Sequence, residues 1–271
     1  MREAARDRYL ATLFAPADKR DALFALYAFD VEISRVRDLA REPMPGEIRL
    51  QWWREMLLGE RAAEAAANPV AAALSETLGD YNLSGERLAD LVEAHRFDIY
   101  NVPMPDLEGL RSYASRTAGV IFQLAALILG DDGAASAGPG AEAGEAQTIA
   151  NLLALLPHHA ARRQLYVPLE VLKHYRAEPD DLFAMRATPE LRAALAELRL
   201  RARRSLALVG SPRTEVSVIV RSGFLCLAPL RQWLLDMERP DYDPFHPPHI
   251  APWRRQWRIW RAAKSFRRIG S

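Results

Sequence analysis

Residues 19–40 read KRDALFALYAFDVEISRVRDLA, and within them Leu23, Leu26, Tyr27, Val31, Ser34 and Asp38 recur at intervals of three and four. That spacing marks one face of a single helix, apolar at its start and polar at its end. Pro43 and Pro45 interrupt it, and a second helix carries Ile48 to Leu58. The same period continues outward, so helices are expected over 64–80, 85–101 with Ser84 as cap, 107–130, 145–157, 188–209 and 213–238. Alternating runs of the kind that build strands are nearly absent, which makes the fold class all-α. Residues 131–144, rich in Gly, Ala and acid with Pro139 among them, read as a flexible surface loop joining two halves of one bundle. An extended crossing at Pro240, Pro244, Pro247, Pro248 and Pro252 leads to a last helix over 253–268, and residues 1–271 read as one domain.

With 271 residues and 49% hydrophobic content there is material for one large core. A formal net charge of +1 sets up no overall field toward nucleic acid or an acidic partner, so functional charge must be local. The single cysteine, Cys226, sits in the apolar run Phe224-Leu225-Cys226-Leu227 and reads as core filling; it excludes an internal disulfide or a multi-cysteine metal site. The opening Met1-Arg2-Glu3-Ala4-Ala5-Arg6-Asp7-Arg8 carries acids and no apolar run. Neither a secretory signal nor a transit peptide is expected there, and a cytoplasmic address follows. The most apolar stretch, 120–130, is far shorter than the roughly 20 residues that cross a bilayer.

Three stretches, in order, carry a family resemblance. The first is Ala25-Leu26-Tyr27-Ala28-Phe29 running into Arg35-Val36-Arg37-Asp38, followed by Arg49-Leu50-Gln51-Trp52-Trp53-Arg54. The second is His95-Arg96-Phe97-Asp98 and then Tyr113-Ala114-Ser115-Arg116-Thr117-Ala118-Gly119. The third is Asn151-Leu152-Leu153 through Arg162-Arg163-Gln164-Leu165-Tyr166-Val167-Pro168-Leu169. Together they resemble the squalene/phytoene synthases. The resemblance implies an isoprenoid-synthase-type helical bundle around a central cavity, in which two aspartate-rich helices hold magnesium against prenyl diphosphates that are joined head to head. Diphosphate is highly anionic and a poor leaving group, so hard divalent ions must bridge it to protein oxygens.

The residues that the resemblance places at those motifs depart from the pattern. The first motif falls on Ser34, Arg35, Val36, Arg37 and Asp38, where only Asp38 is acidic and two arginines add opposing charge. Asp30 shares the face of Asp38 but stands roughly 12 Å away along the helix, and Glu32 points elsewhere. The second motif falls on Leu155 and His159, and no Asp or Glu occurs between Glu145 and Glu170. His158 and His159 diverge by about 100° on a helix and do not readily chelate one ion, so no metal site is expected. Of the other family positions, Arg49 and Arg54 suit an anionic head group or ion pairs with Glu47 and Glu55. Asp98, Tyr113 and Asn151 would line the cavity or satisfy one another, and Trp52 and Trp53 read as packing.

The segment 253–268 holds Arg254, Arg255, Arg258, Arg261, Lys264, Arg267 and Arg268 without an acid. Trp253, Trp257 and Trp260 fall on one stripe and Arg254, Arg258 and Arg261 on another, which suits contact with a membrane or a partner. The alternative is that the tryptophans pack on the bundle. No DNA- or RNA-binding motif accompanies the patch.

The stretch 29–38 with 48–53 also resembles a branch of the family described as having lost synthase activity, which includes an assembly factor of respiratory complex I. This implies a non-catalytic assembly or chaperone protein that needs no cofactor, peripheral on an inner membrane, with a respiratory-complex subunit as partner. The alternatives are a magnesium-dependent head-to-head prenyltransferase and a carrier that holds a prenyl lipid without reacting it.

Overall fold

The computed structural model describes residues 5–40, 42–211 and 216–265. Among these there are helices and single helical turns, and no strand. The opening stretch forms the helix Arg20–Ser34, which buries Leu23, Leu26, Phe29 and Ile33. The expected continuation to Ala40 is broken at Arg35 and resumes as the short turn Val36–Leu39. Pro43 opens the next helix, Pro43–Leu57, at a position where a missing N–H costs nothing. The same chemistry splits two other expected helices. Pro69 begins Pro69–Asp80, capped by Asn68. Pro229 separates the turn Val220–Leu227 from Leu230–Asp236. The expected cap at Ser84 is present, its Oγ accepting from the Arg87 N–H at 3.4 Å.

Residues 131–144 are the clearest departure from the sequence reading. Only 131–133 are loop: the helix Ala134–Ala154 takes up the rest and runs through Pro139. Two of the acids that suggested a solvated loop bind N–H groups at the start of this helix, Asp131 accepting from Gly133 N at 2.9 Å and Asp132 from Ala134 N at 3.0 Å. The glycines are there for close approach. A Cβ on Gly144 would stand 2.5 Å from Gly119 N and 2.6 Å from its Cα, and one on Gly140 would stand 2.7 Å from Gln123 Cγ. The contacting segment Ser115–Gly119 is a π-helical turn between Leu107–Ala114 and Val120–Ile128, so the expected 107–130 helix is present with a bulge. Because the obstacle to a side chain at 144 is backbone, Gly144→Ala is expected to cost about 2–3 kcal/mol, read as a lowered urea midpoint.

Ala134–Ala154 packs along Pro189–Val209 and against Val120–Ile128. The helix Arg6–Thr12 and the last helix, Pro252–Lys264, both lie on the turn Val220–Leu227 and touch each other. Phe122 and Phe224 stack with centroids 5.5 Å apart, and Trp53 meets Phe29 edge-on at 5.2 Å. These contacts join the first and last parts of the chain through one continuous core. Residues 266–268 of the expected basic helix, with Arg267 and Arg268, lie outside the described residues. No helix among the described residues is long and apolar enough to cross a membrane.

Candidate functional site

A cavity of about 460 Å³ lies among Arg20–Ser34, the 95–98 segment, the π-helical turn and the end of Ala134–Ala154. Six positions singled out from the sequence line it: Ser34, Asp98, Tyr113, Asn151, Leu155 and His159. Asp38, Arg49 and Arg54 do not.

Asp98 is the hub of the lining. Its carboxylate accepts from Tyr113 Oη at 2.9 Å and Tyr166 Oη at 2.7 Å, and meets His95 Nδ1 at 2.6 Å. Its backbone carbonyl accepts from Gln164 at 3.1 Å. Burial alone would push the His95 imidazole down, but the hydrogen bond and charge of Asp98 outweigh it and hold the ring above its ordinary value. Burial and then Asp98 push the Tyr113 and Tyr166 phenols up, so both are donors. The turn that carries Tyr166 is fixed by main-chain bonds from Met104 N to Leu165 O and from Leu169 N to Met104 O, each 2.9 Å. Asn151 accepts from Gln147 Nε2 at 2.9 Å. Leu155 is half exposed at the break between Ala134–Ala154 and Leu156–Ala161.

Arg6, Arg8 and Arg255 also line the cavity without having been assigned to it from sequence. Arg8 pairs with Asp30, and its guanidinium lies 5.2 Å from the Tyr27 ring and 5.7 Å from the Phe122 ring. Arg255 of the last helix pairs with Asp7. Each cavity carboxylate therefore has its own basic partner: Asp7 with Arg255, Asp30 with Arg8, and Asp98 with His95. Nothing local in the sequence announces Arg8 or Arg255, because only the tertiary fold brings the two ends of the chain together. His95 was not singled out either, although its three-residue spacing from Asp98 suits contact between the two side chains.

Outside the cavity, Asp38 meets two basic side chains at the end of the Leu156–Ala161 helix. Arg162 Nη1 donates to Asp38 Oδ1, and His158 Nε2 stands 3.3 Å from the same oxygen. Burial raises the Asp38 carboxyl, but these two partners outweigh it and hold it below the usual carboxylate range. Arg49 pairs with Glu32 on the preceding helix rather than with Glu47 or Glu55, which bind Arg96 and Arg61. Arg54 is half-buried on the same helix. Among the described residues no three His, Cys, Asp or Glu side chains are grouped so as to hold one metal ion. The donor set at the two motif helices does not fit magnesium, which requires several oxygen ligands.

His159 is buried, and its ring centroid lies 4.6 Å from that of Tyr166. Burial, then the charge of neighbouring His158, push it from 6.5 down to about 4, with Asp98 and Asp38 opposing and Arg162 adding to the shift. The unfolded chain therefore takes up this proton first as pH falls. Its contribution to stability is complete above pH 6.5 and is lost on descent toward pH 4. His95, shifted upward, contributes below its ordinary value and loses that contribution as pH rises. Urea unfolding of His159→Phe is expected to show a shallower loss of stability in the acid window, by on the order of 3 kcal/mol at its lower end.

Comparison with known proteins follows the same lines. The model of the squalene/phytoene synthase family matches residues 1–261. NADH dehydrogenase (ubiquinone) complex I, assembly factor 6, of Homo sapiens is 26% identical over 247 residues, covering 91% of this chain and 74% of that protein. The 15-cis-phytoene synthase of Synechococcus elongatus is 26% identical over 191 residues, 66% of this chain and 62% of the relative. Squalene synthase HpnC from Alicyclobacillus acidocaldarius superposes with a TM-score of 0.73 at 27% identity, covering 87% of this chain and 89% of that one. A dehydrosqualene synthase in complex with ligand superposes with a TM-score of 0.82 at 20% identity, covering 96% and 91%, a likeness of fold alone. The chain, matched over nearly its whole length and built as the same helical bundle, belongs to the squalene/phytoene synthase family.

Proposed function

We propose that this chain is a non-catalytic member of the family, acting as an assembly or chaperone factor for a respiratory complex. The observation that carries the reading is the pairing of Asp38 with Arg162 and His158. A diphosphate can leave only if divalent ions neutralise it, and those ions need carboxylates on both facing helices. Here the remaining carboxylate is met by a guanidinium from the opposite helix, and the opposite helix offers Leu155 and His159 at the corresponding positions. The assembly role is supported by likeness to complex I assembly factor 6, which spans 91% of this chain.

A second reading, a working head-to-head prenyltransferase, is favoured by the 27% identity to squalene synthase HpnC. The retained cavity also suits a prenyl lipid held without reaction. Incubation with farnesyl and geranylgeranyl diphosphates and magnesium separates the working enzyme from the two non-catalytic readings. No pyrophosphate release above the protein-free blank is expected, and magnesium-dependent release would overturn the non-catalytic reading. A pull-down with the full chain is expected to enrich subunits of the respiratory NADH dehydrogenase; their absence would remove the assembly role.

A further inference from the structure

The helix Pro252–Lys264 carries five cations, Arg254, Arg255, Arg258, Arg261 and Lys264, and no acid, in a chain whose formal net charge is only +1. Ile259 and Ala262 are buried against the bundle, and Arg255 ties the helix to Asp7. At about 100° per residue, Trp253, Trp257 and Trp260 cluster on the side opposite Ala262. They are 63%, 46% and 46% exposed, so the aromatic stripe faces away from the core rather than packing on it. Each ring is attended by a cation: Arg254 at 5.2 Å from Trp253, Arg261 at 4.3 Å from Trp257 and Lys264 at 3.8 Å from Trp260. The remaining tryptophans differ, Trp53 and Trp233 being buried and Trp52 half-buried with its Nε1 bonded to Glu64.

A row of exposed indoles interleaved with arginine and lysine matches a bilayer interface. Indoles partition to the headgroup level, and cations near an anionic surface are drawn to its phosphates. A protein partner would have to present carboxylates at several fixed points along the helix, whereas an anionic lipid surface supplies negative charge wherever a cation falls. We propose that the outer face of Pro252–Lys264 docks this protein on an anionic lipid bilayer. Arg255, which pairs with Asp7 and lines the cavity, lies on the inner side of the helix, so the docking face is the one turned away from the cavity. The proposal does not rest on the loss of catalysis, and its test is independent of pyrophosphate release.

The test is sedimentation of the full chain with vesicles of phosphatidylcholine, alone or mixed with phosphatidylglycerol, followed by tryptophan quenching with brominated acyl chains. Binding to the anionic vesicles is expected to be at least tenfold tighter than to the neutral ones and to be lost in about 0.5 M salt, where screening is nearly complete. The triple variant Trp253→Ala, Trp257→Ala, Trp260→Ala is expected to bind at least tenfold more weakly and to lose most of the quenching, since Trp53 and Trp233 are buried and Trp52 is half-buried and bonded to Glu64. Arg254→Glu with Lys264→Glu, both exposed, gives a second variant that leaves the buried face intact and is expected to abolish the preference for anionic lipid. Unchanged thermal midpoints show that both variants fold. Failure of the wild-type chain to bind anionic vesicles would overturn the proposal and leave the face to a protein partner; equal binding by the folded variants would overturn it as well.

Discussion

Replacing Asp98 with alanine is expected to lower the unfolding free energy by about 3–5 kcal/mol, the range for removing one partner of a buried charged network. The midpoint of thermal unfolding should fall by about 10 °C on the usual scaling for chains of this size. Three groups lose their acceptor together: the hydroxyls of Tyr113 and Tyr166 and the ring of His95. All three would then stand in the cavity wall without the acceptor that the native protein gives them. The His95 imidazole, held above its ordinary value by Asp98, should drop once burial acts alone. Asp98→Asn keeps the shape and one acceptor oxygen, so it should recover part of the stability without restoring the imidazole. Circular dichroism during heating, with NMR titration of His95, separates the two effects.

The pair Arg8 and Asp30 should behave differently from a surface ion pair. Arg8 is 12% exposed and Asp30 17%, and the guanidinium lies among Tyr27, Phe122 and Cys226. Asp30→Ala leaves that cation buried without a partner and is expected to cost about 3–5 kcal/mol. Arg8→Met in the same background removes the stranded charge while filling similar volume. The double variant is therefore expected to be more stable than Asp30→Ala alone, by at least 1 kcal/mol on the coupling expected of direct contacts, in a double-mutant cycle of urea midpoints. Cys226, beside Arg8 and pushed by burial up to about 12, should stay unreactive toward alkylating agents in the native protein. It should react in Asp30→Ala to the extent that local opening is increased.

Periodicity carried most of the fold. The spacing of Leu23, Leu26 and Tyr27 made the first helix legible, and Ser84 fixed the start of Gly85–Ala94, because caps and apolar faces are local properties. Residues 134–144 were misread because small residues have two opposite uses. In water they give a pliable chain; here Gly140 and Gly144 let a helix press against the backbone of Gly119, and composition alone does not distinguish these. At the site, Asp98, Tyr113, Asn151, Leu155 and His159 were found as cavity positions through motif order. Arg8 was not, since its partner Asp30 is 22 residues away and no local pattern relates them. The contact of Asp38 with Arg162, 124 residues away, was equally invisible, although the shortage of acids between Glu145 and Glu170 was plain. The outward turn of Trp253, Trp257 and Trp260 depended on which side of the helix met the core, which only Ile259 and Ala262 reveal.

The direct test of the central claim is manganese binding followed by electron paramagnetic resonance, in the presence of a farnesyl thiodiphosphate that does not ionise. Manganese substitutes for magnesium at oxygen sites, and the free aqueous ion gives the signal. With Asp38 engaged by Arg162 and His158, the free-ion signal should match that of analogue and metal without protein. Loss of signal equivalent to two or three ions per chain, abolished by Asp38→Asn, would mean that the motif helices do gather divalent cations around a diphosphate and that the chain is built for the chemistry denied to it here.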